Sequence, residues 1–321
     1  MTVSPSQRVL EVLYDRGGFV SLDELIRITG LNRAYLDEAM GELRGRGHVL
    51  DVQPADGVRL IHPVRLNAHL IERGLETRRV GRSVICFDQV DSTNDVAMAS
   101  ARQRDTDGLV VTAEWQRKGR GRRRRRWLSP PGAGLLFSVL LVNDSEVLGH
   151  EATVVAAGLA VAEGIDDSCH LACRLKWPND VYLEGAKAAG VLVETQPQDS
   201  TRAMVVGIGI NVYAAPPPEM TDRRATHLAA YAAKVDRIDL IRHILRRLDH
   251  RLVEIMQGEF DDLHNAWVRR SGMVNERVRI LSDGVEYVGR VVDVSPMEGL
   301  ILACDDGRHV CLPAATSLVV G

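Results

Sequence analysis

LVVTAEWQRKGRGRRRRRWLSPPGAGLLFSVLL, residues 109–141, places a short apolar strand on each side of a run with eight basic side chains in ten positions, 117–126. A basic run between two buried strands is a loop of the folded body, not a solvated tail. Further short apolar strands read at 84–87, 173–177, 181–183, 188–194 and 203–210. An alanine-rich helix at 151–163 lies among them, and an amphipathic helix near 236–257 carries Ile238, Ile241, Leu245, Leu248, Leu252 and Ile255 on one face. Strands joined by short turns, without regular strand–helix alternation, predict a mixed sheet of α+β type spanning residues 63–270.

The flanks read differently. In residues 1–62 a first helix carries Val9, Leu10 and Leu13 and stops at Gly17-Gly18. SLDELIRITG, 21–30, predicts a helix with Ser21 as N-cap, a capping box closed by Glu24, and Gly30 as C-cap. A third helix follows, capped by Asn32 and striped by Leu36, Met40 and Leu43. HVLDVQPADGVRLI, 48–61, alternates like two strands around Asp56-Gly57. The sum is a winged helix-turn-helix. Residues 271–321 hold four or five short strands with Gly/Asp turns and no helical pattern, which predicts a small β-barrel.

At 321 residues the chain is long enough for two or three cores. Its net charge is only −3 although the one run contributes eight positive charges, so the rest is acidic. That excludes a broadly basic nucleic-acid binder and concentrates the positive field at one place. Five cysteines without a CxxC pair read as reduced thiols, with Cys169 and Cys173 as buried bystanders. No apolar run approaches the roughly 20 residues of a membrane span, and the N-terminus lacks an export signal, so a cytoplasmic protein is expected.

Four segments carry chemistry. Glycines within GRGRRRRRW, 119–127, let the backbone bend around an anion while guanidiniums supply paired donors; mutual repulsion predicts a loop that an anionic ligand orders. DSTN, 91–94, opens a helix, with Ser92 or Thr93 as cap and a donor–acceptor cluster suited to a neutral polar group. In KWPND, 176–180, Pro178 interrupts the strand and presents Asn179 and Asp180 in a turn. Lys187 opens the next strand beside Ala188, Ala189 and Gly190, where one ammonium can meet developing negative charge. In GIGINV, 207–212, two glycines on one face permit close approach; the third glycine and helix of a dinucleotide fingerprint are missing.

DSTN, Gln116, GRGR, KWPND, the Lys187 strand and GIGIN, in that order, resemble the bacterial biotin–protein ligases, and the flanking units resemble those of the bifunctional type that also represses biotin synthesis. The resemblance spans essentially the whole chain. It implies a winged helix at 1–62, a class II aminoacyl-tRNA synthetase-like catalytic domain at 63–270 and an SH3-like barrel at 271–321. Ser92, Thr93, Asn94 and Gln116 would then contact biotin, and Arg120, Gly121 and Arg122 would close over biotin and the adenylate. Lys187 would meet the biotin carboxylate and the phosphoryl oxygens. Arg120, Arg122, Lys176, Asn179, Asp180 and Asn211 would line the ATP side, with Asp180 helping to hold Mg²⁺, and Lys187, Arg122 and Asp180 would form the catalytic set. Implied partners are the biotin carboxyl carrier protein of acetyl-CoA carboxylase, a second copy of the chain and operator DNA.

The chain departs from the family pattern in places. Arg124 stands where the family loop commonly has glycine, and the segment after Asn211 is proline-rich and lacks a tryptophan to cover adenine. Residues 1–62 hold seven arginines against nine acidic residues, with Asp37 and Glu38 on the expected recognition helix. Phosphate neutralisation dominates duplex binding, so repression is expected to be weak, dimer-dependent or lost. Two rival readings are a lipoate–protein ligase, whose histidine-centred glycine signature is missing, and a ligand-sensing transcription factor without catalysis, against which Lys187 and the ATP-side residues speak.

Overall fold

The computed structural model describes residues 3–103, 105–143, 148–198, 201–221 and 223–320. Local caps account for the first three helices. Helix α1 (Pro5–Arg16) starts with a capping box, Ser4 accepting from the Gln7 amide and the Gln7 side chain accepting from the Ser4 amide. In α2 (Leu22–Thr29) Ser21 accepts from the Glu24 amide, but the reciprocal half expected of Glu24 is not made. Its carboxylate takes a hydrogen bond from Arg16 at 2.8 Å instead, so the capping box belongs to α1. Helix α3 (Arg33–Gly45) is capped by Asn32. The hairpin β1 (Leu50–Gln53) and β2 (Gly57–Leu60) follows. Gly57, at φ +100°, sits so near the Val20 carbonyl that a Cβ would lie 2.1 Å from its oxygen; only glycine lets the hairpin dock there.

The body comprises α4 (Ala68–Glu72), β3 (Ser83–Val90), α5 (Thr93–Ser100), β4 (Leu109–Gln116), β5 (Gly134–Asn143), α6 (His150–Cys169), β6 (Arg174–Lys176), β7 (Asp180–Leu183), β8 (Ala186–Gln198), β9 (Thr201–Asn211), α7 (Arg237–Gln257) and α8 (Phe260–Arg270). Seven strands form one mixed sheet in the order β3-β4-β5-β9-β8-β7-β6, parallel only between β3 and β4. Alternate residues of a strand face opposite sides. Val110, Val139 and Val206 join the core that includes α6 and α7, whereas Val111, Leu140 and Val205 pack with Ala97 of α5. Two helices therefore shield one face, and α5 shields part of the other. The uncovered remainder of that second face is where the cavity lies.

Helix α8 falls where the sequence reading placed no element. Its apolar positions are few, but Leu263, Ala266 and Trp267 are buried, and Trp267 meets Trp177 edge-on at 6.1 Å. Acidic residues in its first turn and arginines in its last suit the helix dipole. Residues 277–319 form a five-stranded antiparallel sheet from β10 (Arg277–Ser282), β11 (Val285–Ser295), β12 (Gly299–Cys304), β13 (His309–Leu312) and β14 (Ser317–Val319), in the order β13-β12-β11-β10-β14. Among the described residues no helix is long and apolar enough to cross a membrane. Cys169 and Cys173 are both buried, as expected, and burial raises both thiols, that of Cys173 to about 12.

Candidate active site

A cavity of about 430 Å³ opens on the uncovered part of the sheet. Eleven of the twelve residues singled out from the sequence line it: Ser92, Thr93, Asn94, Gln116, Arg120, Gly121, Arg122, Asn179, Asp180, Lys187 and Asn211. Lys176 does not. Its ammonium turns away over the Tyr182 ring, 5.5 Å from the centroid, because it lies on edge strand β6 rather than in the turn.

The deep end is a closed hydrogen-bond network at the start of α5. Ser92 is the N-cap, but neither its side chain nor that of Thr93 caps the helix. Gln116, at the end of β4, does the work, its Oε1 accepting from the Thr93 amide at 2.7 Å and the Thr93 hydroxyl at 3.1 Å. Ser138 Oγ on β5 lies 2.6 Å from Asn94 Oδ1, and Asn94 Nδ2 donates to Glu194 on β8 at 2.6 Å. Ser92, Thr93 and Asn94 are all buried. Such a network holds its members in fixed orientations. Ser138 and Glu194 were not picked out from the sequence; Glu194 stands in the Lys187 strand, but the sheet alone places it opposite Asn94.

The floor is glycine. Gly190 of β8 pairs directly with Gly209 of β9, and the Trp127 indole lies across both. A Cβ on Gly209 would come within 2.5 Å of the indole, and one on Gly207 within 2.2 Å of Asn94 Oδ1. The close approach expected of GIGIN is therefore made by the chain's own tryptophan. Trp127 Nε1 and Asn211 Oδ1 are buried without a hydrogen-bond partner, which leaves polar atoms at the cavity that a ligand can satisfy.

The basic run does not stand as an unsatisfied cluster of like charges. Arg117 and Lys118 pair with Asp91, and Arg120 reaches Asp95 at 2.7 Å and Glu194 at 2.9 Å, which hold its guanidinium firmly charged. Arg122 donates to the carbonyls of Ala314 and Ala315, and Arg123 to those of Leu281 and Thr316, so the terminal sheet grips the loop. Burial, then the neighbouring Arg123, push the Arg122 guanidinium down to about 10. It is still charged at neutral pH, and an anion beside it would relieve that penalty. The loop turns at Arg123, at φ +52°, and the Arg124 side chain lies outside the described residues.

Opposite the loop, Lys187 Nζ lies 2.5 Å from Asp180 Oδ1 and 5.6 Å from the centre of the Trp127 ring. Asp180 is buried, and its second oxygen takes Arg223 at 2.9 Å. Asp180, expected to help hold Mg²⁺ with the ATP phosphates, has a cation at each oxygen, Lys187 at one and Arg223 at the other. Among the described residues no group of three or more His, Cys, Asp or Glu could hold a metal ion. The segment after Asn211, which has no tryptophan, sets Pro216 and Met220 at the cavity.

Comparison with known proteins agrees with this layout. The profile of the Biotin/lipoate A/B protein ligase family matches residues 86–211, which span the deep network, the loop, Lys187 and the glycine floor. The chain is 34% identical over 269 residues to a biotin–[acetyl-CoA-carboxylase] ligase of Mycobacterium tuberculosis, covering 80% of this chain and 94% of that one. It is 29% identical over 302 residues to the bifunctional ligase/repressor BirA of Bacillus subtilis, covering 92% and 93%. Its fold matches the biotin protein ligase from Aquifex aeolicus in complex with biotin and ATP, with a TM-score of 0.64, 29% identity, and coverage of 74% of this chain and all of that one. With the family profile over residues 86–211 and 34% identity to a biotin–[acetyl-CoA-carboxylase] ligase across 80% of its length, the chain belongs to the Biotin/lipoate A/B protein ligase family.

Proposed function

We propose that this protein is a biotin–[acetyl-CoA-carboxylase] ligase: it joins biotin to ATP as biotinyl-5′-AMP and passes the biotinyl group to a lysine of a carboxyl carrier protein. The observation that carries this reading is that the arginine loop and Lys187 face one glycine-floored cavity, which the hydroxyl and amide side chains of Ser92, Thr93, Asn94 and Gln116 also line. A ureido ring needs donors and acceptors without net charge, which Ser92, Thr93, Asn94 and Gln116 supply. The carboxylate then lies towards Lys187, where its oxygen attacks the α-phosphorus and the bond to pyrophosphate breaks. Lys187 and Arg122 offset the charge that develops on the phosphoryl oxygens. No protein nucleophile enters, so the side chains act by positioning and charge neutralisation. The loop, with Trp127 at its end, keeps water from the mixed anhydride until the acceptor amine arrives. Magnesium enters with ATP, as part of the substrate.

Residues 3–62 fit a winged helix-turn-helix and 277–319 an SH3-like barrel, with the ligase body between. At the two ends of α3, two of the arginines near the expected DNA face pair locally, Arg33 with Asp37 at 2.9 Å and the C-cap Arg46 with Glu42 at 3.6 Å. That favours weak DNA affinity and leaves the ligase activity as the primary function. The test is incubation with biotin, ATP, Mg²⁺ and a biotin carboxyl carrier domain, followed by intact-mass measurement. One biotinyl addition per acceptor is expected. Lipoate replacing biotin in ATP–pyrophosphate exchange, with biotin inert, would overturn the assignment.

A further inference from the structure

The two ends of the cavity differ in charge balance. At the deep end Asp95 and Glu194 offset Arg120. At the other end the buried Asp180 carboxylate is shared between Lys187, at 2.5 Å, and Arg223, at 2.9 Å. Arg122, which also lines the cavity, stands within reach of the same carboxylate's field. Among the cavity-lining residues at this end, the Asp180 carboxylate thus faces three cations, Lys187, Arg223 and Arg122, and the surplus sits where water is partly excluded. A positive surplus in a partly desolvated cleft is satisfied by a polyanion.

Arg223 is the member of this set that no sequence motif marks. It stands in the loop between β9 and α7, lines the cavity, and is anchored at both ends of its fork. Nη1 donates to Asp180 Oδ2, and Nη2 donates to the Val319 carbonyl of β14, each at 2.9 Å. A guanidinium has five N–H donors, so this anchoring fixes the plane while leaving donors for a phosphate. Lysine in its place could not be anchored and donate in this way.

We propose that Arg223 is a catalytic residue of adenylation, binding the β- and γ-phosphates of ATP and the pyrophosphate they become. This rests on the ligase reading. As the biotin carboxylate oxygen bonds to the α-phosphorus, the bond from that phosphorus to the bridging oxygen breaks and its electron pair leaves with pyrophosphate. Arg223 holds the oxygens on which that charge collects, and Lys187 holds the carboxylate and α-phosphoryl oxygens. Biotinyl-5′-AMP has no β- or γ-phosphate, so Arg223 serves the first half-reaction and not the second.

The experiment separates the two halves in the full-length protein. Arg223→Gln and Arg223→Lys are compared with wild type in biotin-dependent ATP–pyrophosphate exchange and in transfer from synthetic biotinyl-5′-AMP to the carrier domain. In Arg223→Gln, exchange should fall at least tenfold, about the effect of losing one charge-assisted contact. The KM for ATP and pyrophosphate should rise while that for biotin and the transfer rate stay within twofold. Arg223→Lys should recover part of the exchange. Exchange within twofold of wild type overturns the assignment, and so does an equal fall in both half-reactions. If Arg223→Gln does not fold, Arg223→Lys decides: a rise in KM for ATP alone supports the assignment, and an equal rise for biotin overturns it. A wild-type protein without biotin-dependent exchange fails the ligase reading itself, a result distinct from any difference among the variants.

Discussion

The floor of the cavity and the loop above it are built by opposite means. The floor belongs to the central strands β8 and β9, where Gly190, Gly207 and Gly209 are fixed by ladder pairing and by side chains that occupy the space a Cβ would need. The loop 117–127 has no sheet of its own beyond one bridge between Arg120 and Arg126. Its shape comes from guanidiniums resting on carboxylates and on carbonyls of the terminal sheet. A wall set by packing resists change, whereas one held by exchangeable hydrogen bonds can open and close. On the ligase reading, we therefore propose that substrate discrimination belongs to the floor and retention of the adenylate to the loop.

The largest effect that would break this contrast is expected on the floor. Gly207→Ala puts a methyl 2.2 Å from Asn94 Oδ1, and Asn94 is already fixed by Ser138 and Glu194. Overpacking of this kind costs about 1–3 kcal/mol, so biotin affinity by calorimetry should fall roughly 10- to 100-fold. Unchanged affinity would mean that the floor yields as readily as the loop.

A middle-sized effect is expected at Arg122, whose contacts to Ala314 and Ala315 hold the loop down. Arg122→Gly should release biotinyl-5′-AMP about tenfold faster, in line with the loss of one hydrogen bond from a charged donor. Bystander proteins should then become biotinylated. Wild-type leakage would show that the loop is not the gate.

The smallest effect tests the anchor behind the loop. Glu151, on α6, accepts from the Ala314 amide at 2.6 Å and the Ala315 amide at 3.4 Å. Glu151→Gln should weaken that seat by about 1 kcal/mol, raising the KM for ATP a few-fold while biotin affinity holds. A drop in biotin affinity instead would show that the two walls are coupled.

Much of this architecture was legible in the residues. Ser21, Asn32, Gly17 and Gly30 marked helix ends because caps are local chemistry, and all four serve as caps. Strands β4, β5, β8 and β9 were visible as apolar runs for the same reason. Helix α8 was not, since its burial depends on Trp267 finding Trp177 ninety residues away. The partners of α5 were misjudged likewise: Ser92 and Thr93 are good caps by type, but Gln116, across the sheet, takes the Thr93 amide. Arg223 carried no signal at all, because its meaning lies wholly in what stands beside it.

By itself the sequence determined where the main strands of the body lie along the chain, the glycines on one face of β9, and a concentrated positive charge between two buried strands. Periodicity, caps and composition are properties of neighbours along the chain. Only the tertiary structure decided that Lys176 faces away, that Asp180 is shared between Lys187 and Arg223, and that Trp127 lies on the glycine floor. Those outcomes turn on side chains brought together from distant segments, where burial and pairing, not residue type, set what each group can do.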